Sequence, residues 1–347
     1  MLATKQPVLR RFWYPIMKCQ DLESGPRPFR LLGQDIVVWR GADGALQAVV
    51  DRCCHRSAKL SRGFVDGNAI VCGYHGWAFN GDGACTRVPQ WKDQSRKINF
   101  RIDGYKAAAR YGYVWVCLGD PIADIPEFPE AAAPGFRQID QFYEVWRCSG
   151  LRLMENSFDN SHIAFVHKES FGNIEQPEPA SLEVVETPEG LDMNTVIPVM
   201  NRGLGNAVSG TEGTMTVRHT NAKWYLPFIR KLGITYPSGL RHSIVTCATP
   251  IDDEQSQIVQ FVFRNDSEEQ TKAADVIAFD RKVTLEDQPI LESTDPDVPL
   301  DHASGEEFHM ASDKPGLVMR RRMRDLLAAH GETEVRRGGV LRRDAAE

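Results

Sequence analysis

Two short motifs, Cys53-Cys54-His55 and Cys72-Gly73-Tyr74-His75, bring two thiols and two imidazoles together with only residues 56–71 between them. No other feature constrains the fold as much, because gathering these four side chains at one point asks for two adjacent loops held by short strands. Two thiolates on one iron and two neutral imidazoles on the other make the mixed ligation of a [2Fe–2S] centre, with a reduction potential above that of an all-cysteine cluster. Such a centre accepts and passes on single electrons. A structural zinc site uses the same residue types, but at C-x2–4-C and H-x3–5-H spacings. Here each motif contributes one residue of each kind. Gly76 can relieve crowding beside the second pair, and Trp77 and Phe79 can shield it from water.

The chain has 347 residues, too many for one small electron carrier, and this length suggests roughly two domains. Charged residues make up 25% and hydrophobic ones 42%, as in ordinary globular proteins. No apolar run approaches the ~20 residues that span a bilayer, so no membrane partner is expected. The segment Met1 to Met17 is interrupted by Pro7, Arg10, Arg11 and Pro15 and lacks the apolar core of a signal peptide. A cytoplasmic location is therefore expected. The eight cysteines fit that compartment, since those outside the two motifs show no framework spacing. Net charge is -6 with no basic stripe, which argues against nucleic acid as a partner. Arg320, Arg321, Arg322 and Arg324 interleave with Met319, Met323, Leu326 and Leu327 at helical spacing, after a start signal at Ser312, Asp313 and Pro315. They read as a docked terminal helix with a solvated basic face.

The text from Phe12 to Leu118 is strand-like and punctuated by turns: Asp35 to Arg40, a turn at Gly41 to Gly44, Ala45 to Val50, and Tyr113 to Leu118. Pro121, Pro126, Pro129 and Pro134 then mark a crossing segment. Beyond it, Leu151 to Val166 reads as mostly helical, Ser243 to Thr249 and Ile258 to Arg264 as strands, and Ser267 to about Leu291 as a helix. Gly203 to Gly213 reads as a mobile loop, either a plain connection or a lid. The fold class is α+β. The expected domains are 1–120, 121–332 and a flexible tail over 333–347.

The second half carries its own constellation, Asn156, Asp159, His162 and His167, in the pattern N-x2-D-x2-H-x4-H. Five residues of ideal helix turn through about 500°, leaving His162 and His167 about 140° apart. Both can face one metal only if a π-bulge or a helix end falls between them. Asp159 shares a helix face with His162 and is placed to orient that imidazole. A mononuclear Fe(II) oxygen site needs two histidines and one carboxylate. In the later helix Val276, Phe279, Val283, Asp287 and Ile290 recur at spacings of three and four, so Asp287 falls on the apolar stripe. A carboxylate there is costly unless paired or bound to metal. Glu286 points about 100° away, toward solvent. Pro289 should kink the helix just beyond; alternatively, Asp287 caps a second helix that starts near Pro289.

The run Cys53-Cys54-His55-Arg56, Gly63 and Cys72-Gly73-Tyr74-His75-Gly76-Trp77 resembles the Rieske domain of the non-haem iron oxygenases. Respiratory Rieske proteins carry two further cysteines where this chain has Ala58 and Tyr74, so the resemblance points to the oxygenase branch. It extends from about Phe12 to His330. It implies an N-terminal antiparallel β Rieske domain followed by a C-terminal helix-grip (START-like) catalytic domain. The cluster would be held by Cys53, His55, Cys72 and His75, and Fe(II) by His162, His167 and Asp287. Asp159, with Asn156 beside it, would link that iron to a Rieske histidine of the neighbouring subunit in a head-to-tail homotrimer. Within the family, the sequence around Cys53 resembles the methylxanthine N-demethylases, and Arg110 to Gly119 resembles small-molecule monooxygenases such as saxitoxin hydroxylases. Cys54 departs from the Pro or Ala of many relatives.

The reaction expected from this resemblance is monooxygenation of an aromatic or heterocyclic small molecule with O2, by hydroxylation or by N- or O-demethylation. A cis-dihydroxylating dioxygenase is one alternative, and a non-catalytic electron carrier fused to a binding domain is another. With no nucleotide fingerprint in a strand-turn-helix setting, electrons must come from a separate NAD(P)H-dependent reductase or ferredoxin. Candidate substrate contacts are Phe158, Phe165, Met200, Trp224, Tyr225 and Tyr236. Arg218 and Arg241 are each able to bind one acid group.

Overall fold

The computed structural model describes residues 1–91, 97–200, 208 and 214–337. The chain forms two compact units. One is Leu9–Ile125, and the other joins Met1–Val8 to the chain from Pro126 onward. The expected boundary at residue 120 falls a few residues early, and the first eight residues leave the N-terminal unit altogether. Their polar groups are taken up elsewhere: Thr4 donates to Asp253 through N at 2.8 Å and Oγ1 at 2.6 Å, and Val8 N donates to Glu332 at 2.7 Å.

The unit Leu9–Ile125 consists of two antiparallel sheets. Strands β1 (Tyr14–Lys18), β2 (Arg27–Leu31), β3 (Gln34–Arg40), β4 (Leu46–Val50), β9 (Gly104–Arg110) and β10 (Tyr113–Cys117) make a six-stranded sheet in the order β1-β10-β9-β4-β3-β2. Strands β5 (Phe64–Asp66), β6 (Ala69–Val71), β7 (Ala78–Phe79) and β8 (Cys85–Arg87) make the smaller sheet. Val37, Trp39, Val49, Leu60, Ile70 and Phe79 form one buried cluster that includes Cys53 and Cys72. Apolar strands thus deliver both motif cysteines to the core.

The other unit is a seven-stranded antiparallel sheet: β11 (Arg137–Trp146), β12 (Ser181–Glu186), β13 (Gly190–Met200), β14 (Met215–Tyr225), β15 (Ile229–Thr235), β16 (Arg241–Pro250) and β17 (Ser256–Arg264), in the order β11-β17-β16-β15-β14-β13-β12. Its helices among the described residues include α1 (Gly150–Phe158), α2 (Ile163–Val166), α3 (Ala273–Leu291) and α4 (Lys314–Ala329). Val276 of α3 packs on Ile139 and Val262 of the sheet, the arrangement a helix-grip fold calls for. No helix among the described residues is long and apolar enough to cross a membrane.

Several expectations are corrected here. The helix read over Leu151 to Val166 breaks after Phe158, because the Asp159 carboxylate accepts from Ser161 N at 2.6 Å and so competes with the helical ladder. The helix expected from Ser267 starts only at Ala273, since the Thr271 carbonyl is taken by Arg137 and Ser267 closes a turn with Gln270. It then runs unbroken through Pro289, so Asp287 caps no second helix. On its stripe Val276 and Phe279 are buried, but Ile290 is exposed. The basic face of α4 is solvated only in part: Arg324 is exposed and the Arg321 side chain is 42% exposed, but the other two arginines are engaged. Arg320 is buried against Glu155 and Glu307, and Arg322 donates to the carbonyls of Thr187 and Pro188 at 2.7 and 2.8 Å.

The described part of the tail, residues 333–337, is tied down by specific partners, against the expectation of a flexible segment. The buried Asp297 collects the Met1 ammonium, the Arg336 guanidinium and the Arg337 amide, and Val335 O accepts from Leu2 N at 2.8 Å. A buried carboxylate needs such partners, which the composition of the tail could not reveal. The loop Gly203 to Gly213, apart from Val208, and the tail beyond Arg337 lie outside the described residues.

Candidate active site

In the N-terminal unit the two motifs form two matching loops. Cys53 N donates to Ala58 O at 2.8 Å and Ser57 N to Cys53 O at 2.9 Å. In the second loop Cys72 N donates to Trp77 O at 2.8 Å and Gly76 N to Cys72 O at 2.9 Å. Each loop turns through a left-handed residue four positions after its cysteine, Ser57 at φ 59° and Gly76 at φ 74°. Gly63 lets the chain pass the second loop closely, for a Cβ there would collide with the Val71 carbonyl. The imidazoles of His55 and His75 meet edge to face with centroids 4.5 Å apart, and Trp77 stacks on His55 at 4.6 Å. Gln90 accepts from Trp77 Nε1 at 3.2 Å and donates to His75 O at 2.7 Å, tying the shield to the loop.

These residues suit a mixed-ligand cluster. Both thiols are buried. Burial first, and then neighbours including Cys72, push Cys53 up to about 11, so a Cys53 thiolate needs a cation beside it. His55 Nδ1 is buried with no partner among the described residues, which leaves its lone pair available.

In the second unit His162 and His167 sit at the two ends of the one-turn helix α2, outside its ideal periodicity. No bulge separates them; their flanking positions free them from the 100° increment. His162 Nε2 and His167 Nε2 approach to 3.3 Å, and each lies 3.5 Å from Asp287 Oδ1 on α3. Donors bound to one ion at about 2.1 Å stand about 3.0 Å apart at right angles and about 3.4 Å apart at a tetrahedral angle, so one ion fits all three. These three residues form a metal-capable group among the described residues. Asp287 Oδ1 is buried without a hydrogen-bond donor among the described residues, an arrangement that a cation would satisfy. Burial brings His167 down to about 4, so it is neutral and able to ligate at neutral pH.

Asp159 has left helical geometry, yet its Oδ2 remains 3.5 Å from His162 Nδ1. Burial works against its ionisation, but the His162 imidazole and the Ser161 and His162 backbone amides hold the carboxyl below its usual range. Glu286 is a correction. It does not point to solvent: its Oε2 is 2.9 Å from His167 Nδ1, and its Oε1 accepts from Ser170 Oγ at 2.6 Å. Burial pushes this carboxyl up. Helical geometry alone hid it, because the residues it reaches lie on another element. Its adjacency to Asp287 was the one signal in the sequence.

A cavity of about 1140 Å3, its open mouth included, adjoins the three donors. Asn156 and Asp159 line it, but of the six candidate substrate contacts only Tyr236 does. Phe165 is 58% exposed. Trp224 is core, with Nε1 donating to Pro227 O at 3.0 Å, and Tyr225 packs on Phe128. Phe158 lines a different hollow, and Met200 ends β13 with its amide on Phe171 O. Arg218 lines the cavity, whereas Arg241 lies over Phe136 away from it. The walls that sequence reasoning missed include Phe171, stacked on His167 at 5.0 Å, and a buried polar chain. In that chain Gln141 donates to Asp280, Gln260 donates to Gln141 at 2.6 Å, and His242 Nε2 lies 3.2 Å from Asp280.

Comparison with known proteins agrees with this geometry. Residues 12–105 match the Rieske [2Fe-2S] domain, and residues 146–329 match the vanillate O-demethylase oxygenase C-terminal domain. Methylxanthine N1-demethylase NdmA of Pseudomonas putida is 30% identical over 352 residues, which covers 96% of this chain and 93% of that one. Methylxanthine N3-demethylase NdmB of the same organism is 29% identical over 98% of this chain and 96% of its own length. The solved structure of Pseudomonas putida NdmA with caffeine superposes with a TM-score of 0.81 at 27% identity, covering 95% of this chain and 94% of that one. The chain belongs to the Rieske non-haem iron oxygenases and is an O2-dependent oxidoreductase with a [2Fe–2S] cluster and a mononuclear non-haem iron.

Proposed function

We propose that this chain is the terminal oxygenase of a monooxygenase system that hydroxylates, or N- or O-demethylates, an aromatic or heterocyclic small molecule. The observation that carries this reading is the convergence of His162 Nε2, His167 Nε2 and Asp287 Oδ1 to 3.3–3.5 Å beside a largely apolar cavity. Relatives that act on methylxanthines support the demethylation branch. The balanced reaction takes a C–H bond, O2, two electrons and two protons to C–OH and water. On an N- or O-methyl group the hydroxymethyl product collapses to formaldehyde.

Cys53, His55, Cys72 and His75 would hold the cluster, and His162, His167 and Asp287 the ferrous ion. When bound, the cluster supplies single electrons and the ferrous ion supplies O2 activation. The chain's own residues prepare that chemistry. Glu286 accepts from His167 Nδ1–H, which fixes the tautomer that presents Nε2 to the metal. Ser170 holds Glu286 in place. Asp159 faces His162 Nδ1 and orients the other imidazole. Phe171, Ile234 and Leu232 keep water from the reacting carbon.

The electrons would come from a separate NAD(P)H-dependent reductase or ferredoxin. Assembly would be a homotrimer in which Asp159 joins the mononuclear iron to His75 of the next copy. We place the chain in the cytoplasm, a location that the six cysteines outside the cluster, none of them in a disulfide, support. The test is iron and sulfide content together with labelled O2: about three irons per chain and one labelled oxygen in the product are expected. A cis-diol carrying both atoms would replace the monooxygenase reading, and turnover with NADH alone would remove the separate reductase.

A further inference from the structure

Arg218 lines the cavity from β14 and is only 6% exposed, yet its buried Nε has no hydrogen-bond partner among the described residues. Its flat faces are covered by Phe171 at 4.4 Å and Tyr236 at 5.6 Å, so its donor edge is what remains for a ligand. A buried cation without a counterion is costly, and a guanidinium fork matches a carboxylate in two parallel hydrogen bonds. The other charged groups of the cavity have partners, although the Arg230 Nε has none among the described residues. Arg230 donates to Ser157 O at 3.1 Å and Thr246 Oγ1 at 3.4 Å; Asp280 is engaged by Gln141 and faces His242; and Asp287 faces the two metal-binding imidazoles. Trp146 Nε1 and Asn160 Nδ2, further buried donors in the same wall, are also without a partner among the described residues. Apart from the Asp287 oxygen reserved for metal, the cavity's unpartnered buried groups among the described residues are nitrogens, so the cavity asks for an acceptor.

Resting on the oxygenase reading above, we propose that Arg218 anchors the carboxylate of an acidic aromatic or heteroaromatic substrate. Phe171 touches both Arg218 and the His167 ring, so a ring held by its carboxylate at Arg218 lies along Phe171 toward the metal-binding edge of His167.

The test is anaerobic calorimetric titration of the full, iron-loaded protein, without reductant, with 3,4-dimethoxybenzoate, its methyl ester, its amide and theobromine. The acid is expected to bind about 10- to 100-fold more tightly than its ester or amide. Arg218→Gln should erase that preference. Arg218→Lys, which keeps the charge but not the fork, should retain part of it. Equal binding of acid and ester by the wild-type protein, or tightest binding of neutral theobromine, overturns the anchor, and the wild-type comparison needs no variant to fold. Because these titrations read binding without turnover, their failure leaves the monooxygenase reading intact. That reading fails separately, on the labelled-oxygen product.

Discussion

Removing the Glu286 carboxylate isolates what holds His167 in its metal-binding pose. Glu286 Oε2 stands 2.9 Å from His167 Nδ1 while Oε1 accepts from Ser170 Oγ at 2.6 Å, and its side chain is only 16% exposed. The His167 contact is a charge-assisted hydrogen bond at short range, worth roughly 1.5–3 kcal/mol in a sheltered site. Without it the imidazole is free to place its proton on Nε2, the atom that faces Asp287 and His162. Glu286→Ala should therefore weaken Fe(II) binding about 10- to 100-fold, the usual cost of losing the partner behind a ligating histidine. Glu286→Gln should fall between, since its one amide oxygen can accept from His167 or from Ser170 but not with full charge. The assay is anaerobic competition with a chromogenic ferrous chelator, with cluster absorbance as internal reference. Cluster content should not change, because the Cys–His loops belong to the other unit. A Glu286→Ala protein with wild-type iron affinity and unchanged turnover would refute the reasoning.

Two further outcomes are expected. Asp159→Asn should leave both metal centres loaded and the cluster reducible, while product formation falls about 10- to 100-fold; near-normal turnover removes Asp159 from the electron path. Glu130 accepts from Lys231 at 2.8 Å and from Ser243 at 3.1 Å, and although burial opposes it, the Lys231 contact holds its carboxyl below 4.5. Its contribution to stability is thus complete above the unfolded value of about 4.5 and is lost as pH falls through the lower folded value. Urea unfolding between about pH 3 and 5 should be steeper in pH for the wild type than for Glu130→Gln, and identical slopes would show that the pair carries no such linkage.

Some of this architecture is legible because it depends on local chemistry. The Cys53/His55 and Cys72/His75 pairs announce a cluster by residue type and spacing, since four donors must be close in sequence to shape two small loops. The strands Gln34–Arg40, Tyr113–Cys117 and Ser256–Arg264 announce themselves by apolar runs. His162, His167 and Asp287 were also within reach, the last because a carboxylate on a buried stripe is anomalous. What the chain could not reveal in one dimension is whatever depends on a partner distant in sequence. Glu286 faces His167 and Ser170, more than a hundred residues away, so its helical position alone assigned it to solvent. Arg320 looked solvated until Glu155 and Glu307 were brought against it, and the residues up to Arg337 looked loose until Asp297 was found buried beneath them. The cavity wall followed the same rule. Trp224 and Phe158 are large and apolar, as pocket residues often are, but Trp224, although on the strand face of Arg218 and Thr220, lies near the end of β14 with its Nε1 on Pro227 O, and the helix ends at Phe158 beside a different hollow. Periodicity records how a side chain alternates about its own backbone; what it meets there is decided only when the other elements close around it.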